Sequence, residues 1–199
     1  MPDTQPVLEK PSRHSRRARM QALRTAAALF YAKGVRAVGM EEIVETSGIA
    51  KTTIYRHFPT KDALVEAFLK QEDAEFWQQW DAAVASASSA DAVLDALGDW
   101  IGARVERPGY RGCPQINVAA EFADPGHPAR IVARRHKAEM LRRLEAICQS
   151  VGAKPTAQVA MQLALLIDGA FMSDGRLSMG DAAATLKAAF RRLTSPDRL

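Results

Sequence analysis

Two chain breakers, Gly48 and Pro59, bound the segment "IAKTTIYRHF" and leave room for only one short helix. Proline lacks an N–H and its ring clashes with the preceding turn, so no regular helix runs through Pro59. Gly48 supplies the turn on the other side. Between them, Ile49, Ile54 and Phe58 are apolar anchors, while Lys51, Thr52, Thr53, Tyr55, Arg56 and His57 crowd the remaining surface with hydrogen-bonding groups. Thr60 is a good N-cap for a following helix whose inner face is Ala63, Leu64, Ala67 and Phe68.

Upstream, Met20, Leu23, Ala27, Phe30 and Tyr31 recur at helical spacing from about Ser15, and Gly34 follows as a C′ stop. A second helix is expected over about Met40 to Thr46, with Met40, Ile43 and Val44 on one face. Two short helices joined by a glycine turn are the layout of a helix-turn-helix.

The remainder also reads as helices. Glu75 to Ser86 and Ala90 to Arg104 carry Trp77, Trp80, Leu94, Leu97, Trp100 and Ile101. A short helix spans Pro114 to Glu121, and "ADPGHP" breaks it. Pro128 to Ser150 is amphipathic, with Ile131, Val132, Met140, Leu141, Leu144, Ile147 and Cys148 inside and Arg130, Arg134, Arg135, Lys137, Arg142 and Arg143 outside. Thr156 to Met172 is apolar nearly all round, so it must be covered on more than one side. "SDGRLSMG" reads as a loop, and Asp181 caps a last helix to about Leu193. No segment reads as a strand. The fold class is all-α: a tail over 1–12, a three-helix helix-turn-helix domain over 13–62, and a larger helical bundle over 63–199.

Charge sharpens this division. Residues 1–62 hold 11 Lys and Arg against 6 Asp and Glu, whereas the rest holds 16 against 17. From Lys10 to Arg24 there are six basic residues and no acid, among them Arg13, Arg16 and Arg17. Such a run suits a polyanion; charge alone leaves open a solubilising arm. The N-terminus has no apolar signal core, and no apolar run approaches the roughly 20 residues that span a bilayer. The two cysteines, Cys113 and Cys148, fit a reduced cytoplasmic setting. None of H-E-x-x-H, G-x-S-x-G, P-loop or G-x-G-x-x-G occurs. His136 and Glu139 share a helix face as in half of a di-metal site, but no second such pair exists. No enzyme, metal or cofactor is therefore expected.

The stretch "GVRAVGMEEIVETSGIAKTTIYRHFPTKDALVEAF", Gly34 to Phe68, resembles the N-terminal domain of TetR-family transcriptional repressors. Gly34, the "EEIVETSGIAKTTIYRHF" motif and the "FPTKDAL" link carry the resemblance, with Gly48, Tyr55, Phe58 and Lys61 at the family spacing. "RGCPQINVAAEFADPGHPAR" and the basic helix after it resemble a common subtype of the family's C-terminal domain. The resemblance implies a homodimer on a palindromic DNA operator, paired through the last two helices. It implies groove and backbone contacts from Lys51, Thr52, Thr53, Tyr55 and Arg56, phosphate contacts from His57 and Lys61, and an arm around Arg13, Arg16 and Arg17 beside the backbone. Two positions depart from the family pattern. Val38 and Gly39 stand where hydroxyl residues are usual, and Ala50, a poor N-cap, precedes the third helix. Alternatives from the sequence are a general nucleoid-type DNA binder and a ligand-independent regulator.

A repressor of this family also implies a small-molecule effector held between helices. Trp77, Trp80, Trp100, Phe122, Phe171 and Met172 are candidate lining groups, with Asn117, Glu121, His127, His136 and Asp168 as polar contributors. Core packing is the competing reading for each. Asp168 interrupts an apolar helix and needs a partner if buried, for which His136 is the candidate. Cys113 sits before Pro114 near a helix start, where the dipole lowers a thiol pKa. A sensing thiol and a small buried residue are both open there.

Overall fold

Ser12 starts the first helix by accepting the Ser15 N–H on its Oγ at 3.2 Å. The computed structural model describes residues 12–173 and 181–195. The tail expected over 1–12 and the loop expected over 173–180 therefore lie largely outside the described residues. Among those described there are nine helices and no strand, and no helix is long and apolar enough to cross a membrane. Packing divides the chain into two units, 1–68 and 69–199, with the division inside the fourth helix.

The first unit holds α1 (Arg13–Lys33), α2 (Met40–Ser47), α3 (Lys51–His57) and the start of α4 (Lys61–Val84). Helix α1 buries Ala18, Ala22 and Ala26 one turn apart, with Leu23 and Phe30. Met20 was expected on this stripe, but it is 39% exposed. Two residues past Ala18 a side chain has turned about 200° round the axis, to the far side. Gly34, at φ 88°, ends α1 and donates to Phe30 O at 2.9 Å. Beneath lie Val35, Val38, Ile43, Ile54, Phe58, Leu64 and Phe68, all buried. Phe30 and Phe68 meet with ring centroids 5.8 Å apart.

The sequence suggested a break between Phe68 and Glu75, but α4 is continuous from Lys61 to Val84. The polar stretch between contains neither Gly nor Pro. It adds its own i,i+4 ties: Gln71 Nε2 donates to Glu75 Oε1 and Trp77 Nε1 to Asp73 Oδ1, each at 2.8 Å. A polar surface marks solvent here, not an end.

The second unit comprises the rest of α4 with α5 (Ala90–Val105), α6 (Pro114–Ala120), α7 (Pro128–Ser150), α8 (Thr156–Met172) and α9 (Ala182–Thr194). Ser89 and Asp181 cap α5 and α9 through their side chains. Helices α5 and α9 lie unusually close because Gly98 and Gly102 face α9. A Cβ on Gly102 would come within 2.6 Å of the Ala183 backbone nitrogen. Asp99–Lys187 and Asp95–Arg191 ion pairs flank this seam. Helix α8 buries Val159, Leu163, Ile167 and Phe171, yet Met161, Leu165 and Leu166 are 48%, 64% and 36% exposed. Among the described residues the apolar surface of α8 is thus covered on only one side.

Candidate nucleic-acid interface

Helix α3 is positioned by a turn that the sequence marks with Ser47 and Gly48. The buried Ser47 side chain accepts the Ile49 N–H at 3.3 Å, and its carbonyl receives Gln21 Nε2 of α1 at 2.7 Å. Gly48 takes the left-handed conformation at φ 65°. The sequence marks Ser47 as part of the turn but not its hydrogen bonds, and it does not mark Gln21. The signal for Ser47 was a hydroxyl two residues before the Ile49 amide, as in a Ser/Thr turn.

Ile54 is fully buried and Phe58 nearly so, which fixes the inner side of α3. Lys51, Thr52 and Arg56 are exposed; Thr53, Tyr55 and His57 are half-buried. Lys61, just after the Pro59 break, is half-buried, and Arg13, Arg16 and Arg17 on α1 are exposed. His57 Nε2 lies 3.2 Å from Ser15 Oγ, so the end of α3 and the basic start of α1 meet. Arg19 stacks over the Phe58 ring at 5.1 Å beside them. Burial, then the charges of Arg56 and Arg19, hold the His57 pKa below its usual range.

Lys51 Nζ is 2.8 Å from Glu41 Oε1 of α2 and 5.9 Å from the Tyr55 ring. The hydrogen bond to Glu41 raises the Lys51 pKa, and the Glu41 pKa falls in return. The poor caps are as expected: neither Gly39 before α2 nor Ala50 before α3 makes a side-chain cap hydrogen bond. Helix α3 starts only on backbone bonds, Thr53 N–H and Ile54 N–H to Ala50 O at 2.8 and 3.1 Å.

A short polar helix docked by its apolar side beside a basic arm is the shape of a groove reader, and known proteins share it. Residues 22–68 match the profile of bacterial regulatory proteins of the tetR family. A TetR-family transcriptional regulator from Streptomyces coelicolor superposes with a TM-score of 0.83 at 30% identity, over 89% of this chain and 94% of that one. The chain belongs to the TetR family. The HTH-type transcriptional repressor KstR2 of Rhodococcus jostii (strain RHA1) is 32% identical over 79 residues. That match takes in 40% of this chain and only 39% of the relative's own length. A TetR transcriptional regulator from Chloroflexus aurantiacus J-10-FL, 24% identical with a TM-score of 0.76 over 92% of this chain and 95% of its own, shares the fold. As a TetR-family member the chain is a DNA-binding transcriptional regulator, in a family of regulators and not of enzymes.

In this TetR-family chain the residues expected around an effector fall into several places within the second unit. Trp77, Trp80, Trp100, His136 and Phe171 come together around Phe76, which sequence reading passed over. The Phe76 centroid is 4.6 Å from His136, 4.9 Å from Trp77, 5.1 Å from Trp100 and 5.9 Å from Phe171. Phe122 and His127 instead stack on each other at 3.7 Å. Asn117 donates to Arg111 O at 2.7 Å, Glu121 caps the end of α6, and Met172 is half-buried. A separate groove of about 340 Å³, lined by Ala87, Ser89, Val93, Ile147 and Ser150 among others, includes none of the expected residues.

Two pairings differ from expectation. Asp168 pairs with Lys137, not His136. It is about one-third exposed, because position 168 lies at the edge of the buried stripe formed by Leu163, Ile167 and Phe171. His136 pairs with Asp73 of α4 at 2.8 Å. Of the two readings open for Cys113, the small buried residue is the one seen. It is 4% exposed, and burial pushes its thiol up, outweighing the nearby Lys137 charge. Cys148 is buried packing. Glu139, the other half of the motif noted with His136, is held at a pKa of about 2 by Arg142 and Arg143. Among the described residues no group of acids, histidines and cysteines has the arrangement of a metal site.

Proposed function

We infer that this chain works as a homodimeric repressor in the cytoplasm, holding a palindromic operator until a small-molecule effector releases it. The observation that carries this reading is the division of α3 into a docked side, Ile54 and Phe58, and a free side, Lys51, Thr52 and Arg56. An α-helix fits the major groove, where Lys and Arg read guanine or grip phosphate and Thr meets thymine methyls. Tyr55 and Thr53 border that side. His57, Lys61, Arg16 and Arg17 face the flanking phosphates.

The exposed apolar side of α8, with Met161, Leu165 and Leu166, supports pairing with a second copy. A two-fold dimer sets two recognition helices against two half-sites. An effector that binds one dimer arrangement better than the other shifts the population away from the DNA-binding one. Among the named groups, the ring cluster of Trp77, Trp100, His136 and Phe171 is the best candidate contact. Cys113, Asn117, Glu121, Asp168 and Met172 are second to it.

A thermal-shift screen of small molecules, followed by titration of each hit against the protein bound to its own upstream DNA, tests this function. Hits that raise the melting temperature and lower DNA affinity support it. Hits that stabilise the protein but leave DNA binding untouched contradict effector release.

A further inference from the structure

The second unit contains one imidazole whose bonding is half complete. His136 is 1% exposed, and its Nδ1 lies 2.8 Å from Asp73 Oδ1. A carboxylate oxygen only accepts, so Nδ1 carries the proton. Trp77 Nε1 donates to the same oxygen at 2.8 Å, which holds the carboxylate and hence the ring in place. Burial keeps the His136 pKa below its ordinary range, against the pull of Asp73. The other ring nitrogen, Nε2, is then a lone-pair acceptor, and it has no hydrogen-bond partner among the described residues. A buried acceptor left unpaired is costly.

Its surroundings restrict what can satisfy it. Phe76 stands edge-on to the imidazole at 4.6 Å and Trp77 lies tilted at 5.1 Å. Trp100 and Phe171 adjoin Phe76. A buried water seeks two to four polar partners, roughly, and this ring of aromatic groups supplies few. A carboxylate or phosphate would bring lone pairs against a lone pair. Asp73 Oδ1 accepts from both Trp77 and His136, so Nε2 is the acceptor left open on the imidazole. The fitting group is a single donor on a flat apolar body. Trp77 and Trp100 are half-buried, so the cluster reaches solvent on their side.

We propose that His136 is the polar anchor of a ligand site in the second unit for uncharged aromatic molecules bearing one hydroxyl, the phenol class. This rests on the ligand-responsive reading above and names the chemistry of its effector. All three tryptophans of the chain, Trp77, Trp80 and Trp100, belong to this cluster. Intrinsic fluorescence therefore reports the site directly.

The test uses the full chain without DNA, titrated with 4-ethylphenol and 2-naphthol and with the methyl ether of each. Each ether keeps the body and loses the donor. The expected result is a saturable fluorescence change with at least one phenol, and affinity about tenfold or more above its ether. His136→Phe should bring phenol and ether within about twofold, and His136→Gln, whose Oε1 accepts, should keep part of the preference. Equal affinity for phenol and ether in the unaltered chain, no saturable change with either phenol, or a preference that survives His136→Phe would overturn the proposal. If His136→Phe does not fold, the ratio in the unaltered chain decides. A phenol that binds but does not release DNA leaves the ligand class standing and counts against effector release.

Discussion

His57 at the end of α3 meets Ser15 in the first turn of α1, Nε2 to Oγ, at 3.2 Å. This contact brings the basic start of the chain to the recognition helix. On the proposed function Arg16 and Arg17, exposed on that start of α1, would grip phosphate. Arg16→Ala and Arg17→Ala should each weaken binding across all duplex sequences. Each should flatten the dependence of log affinity on log salt by about one unit. A loss confined to one base pair of the operator would contradict a phosphate role. The slope is read from titrations at several salt concentrations.

Glu41 holds Lys51 at 2.8 Å on the surface offered to DNA. On the proposed function Lys51 would leave this carboxylate to reach phosphate or base. Glu41→Gln removes the competitor and a negative charge facing a polyanion. Affinity for DNA should rise about threefold at low salt, and the gain should shrink as salt screens it. Unchanged or weaker binding would mean that the ion pair orients Lys51 instead of restraining it.

Ala50 opens α3 at φ −52° and ψ 134°, a backbone suited to a capping residue, and has no side chain to use there. Ala50→Ser should stabilise the protein by about 1 kcal/mol. For a chain of this size that is about 2–4 °C in melting temperature. Calorimetry or circular dichroism melts measure it, and no gain would mean that the serine hydroxyl fails to reach the Thr52 or Thr53 amide.

Acid should loosen the protein in a defined window. His136 and His57 have folded-state pKa values below the usual 6.5. The unfolded chain then binds protons that the folded chain refuses. Stability is full above about pH 6.5 and falls as pH drops below it. Glu139 adds a second loss between 4.5 and about 2. His136→Gln should remove part of the first decline and none of the second. An unaltered melting profile between pH 6.5 and 5 in that variant would contradict a buried, proton-refusing His136.

The DNA-binding half was legible because local rules determine it. Gly34, Gly48 and Pro59 end helices by backbone chemistry and Thr60 starts one through its hydroxyl, and each does so in the structure. The second half depended on which face of a helix meets which neighbour, and spacing alone does not carry that. Asp168 looked buried because its sequence neighbours are apolar, but it sits at the edge of the stripe with Lys137. Phe76 was overshadowed by Trp77 and Trp80, although Phe76 and Trp80 share the inward register. The polar run after Phe68 looked like a break because exposure and irregularity leave similar traces. Cys113 shows helix position and burial opposing each other, and burial wins.

The central claim is that α3 reads a specific DNA sequence. The direct measurement is a gel-shift titration of the protein against its own upstream DNA and against a shuffled duplex of equal length, repeated with Tyr55→Ala and Lys61→Ala. The account predicts a preference of about 1,000-fold or more for the upstream DNA. Each variant should lose at least about fivefold in operator affinity, as for a lost contact of about 1–3 kcal/mol, with helicity unchanged. Equal affinity for both duplexes with a steep salt dependence, or folded variants that bind the operator as tightly as the unaltered protein, would contradict it.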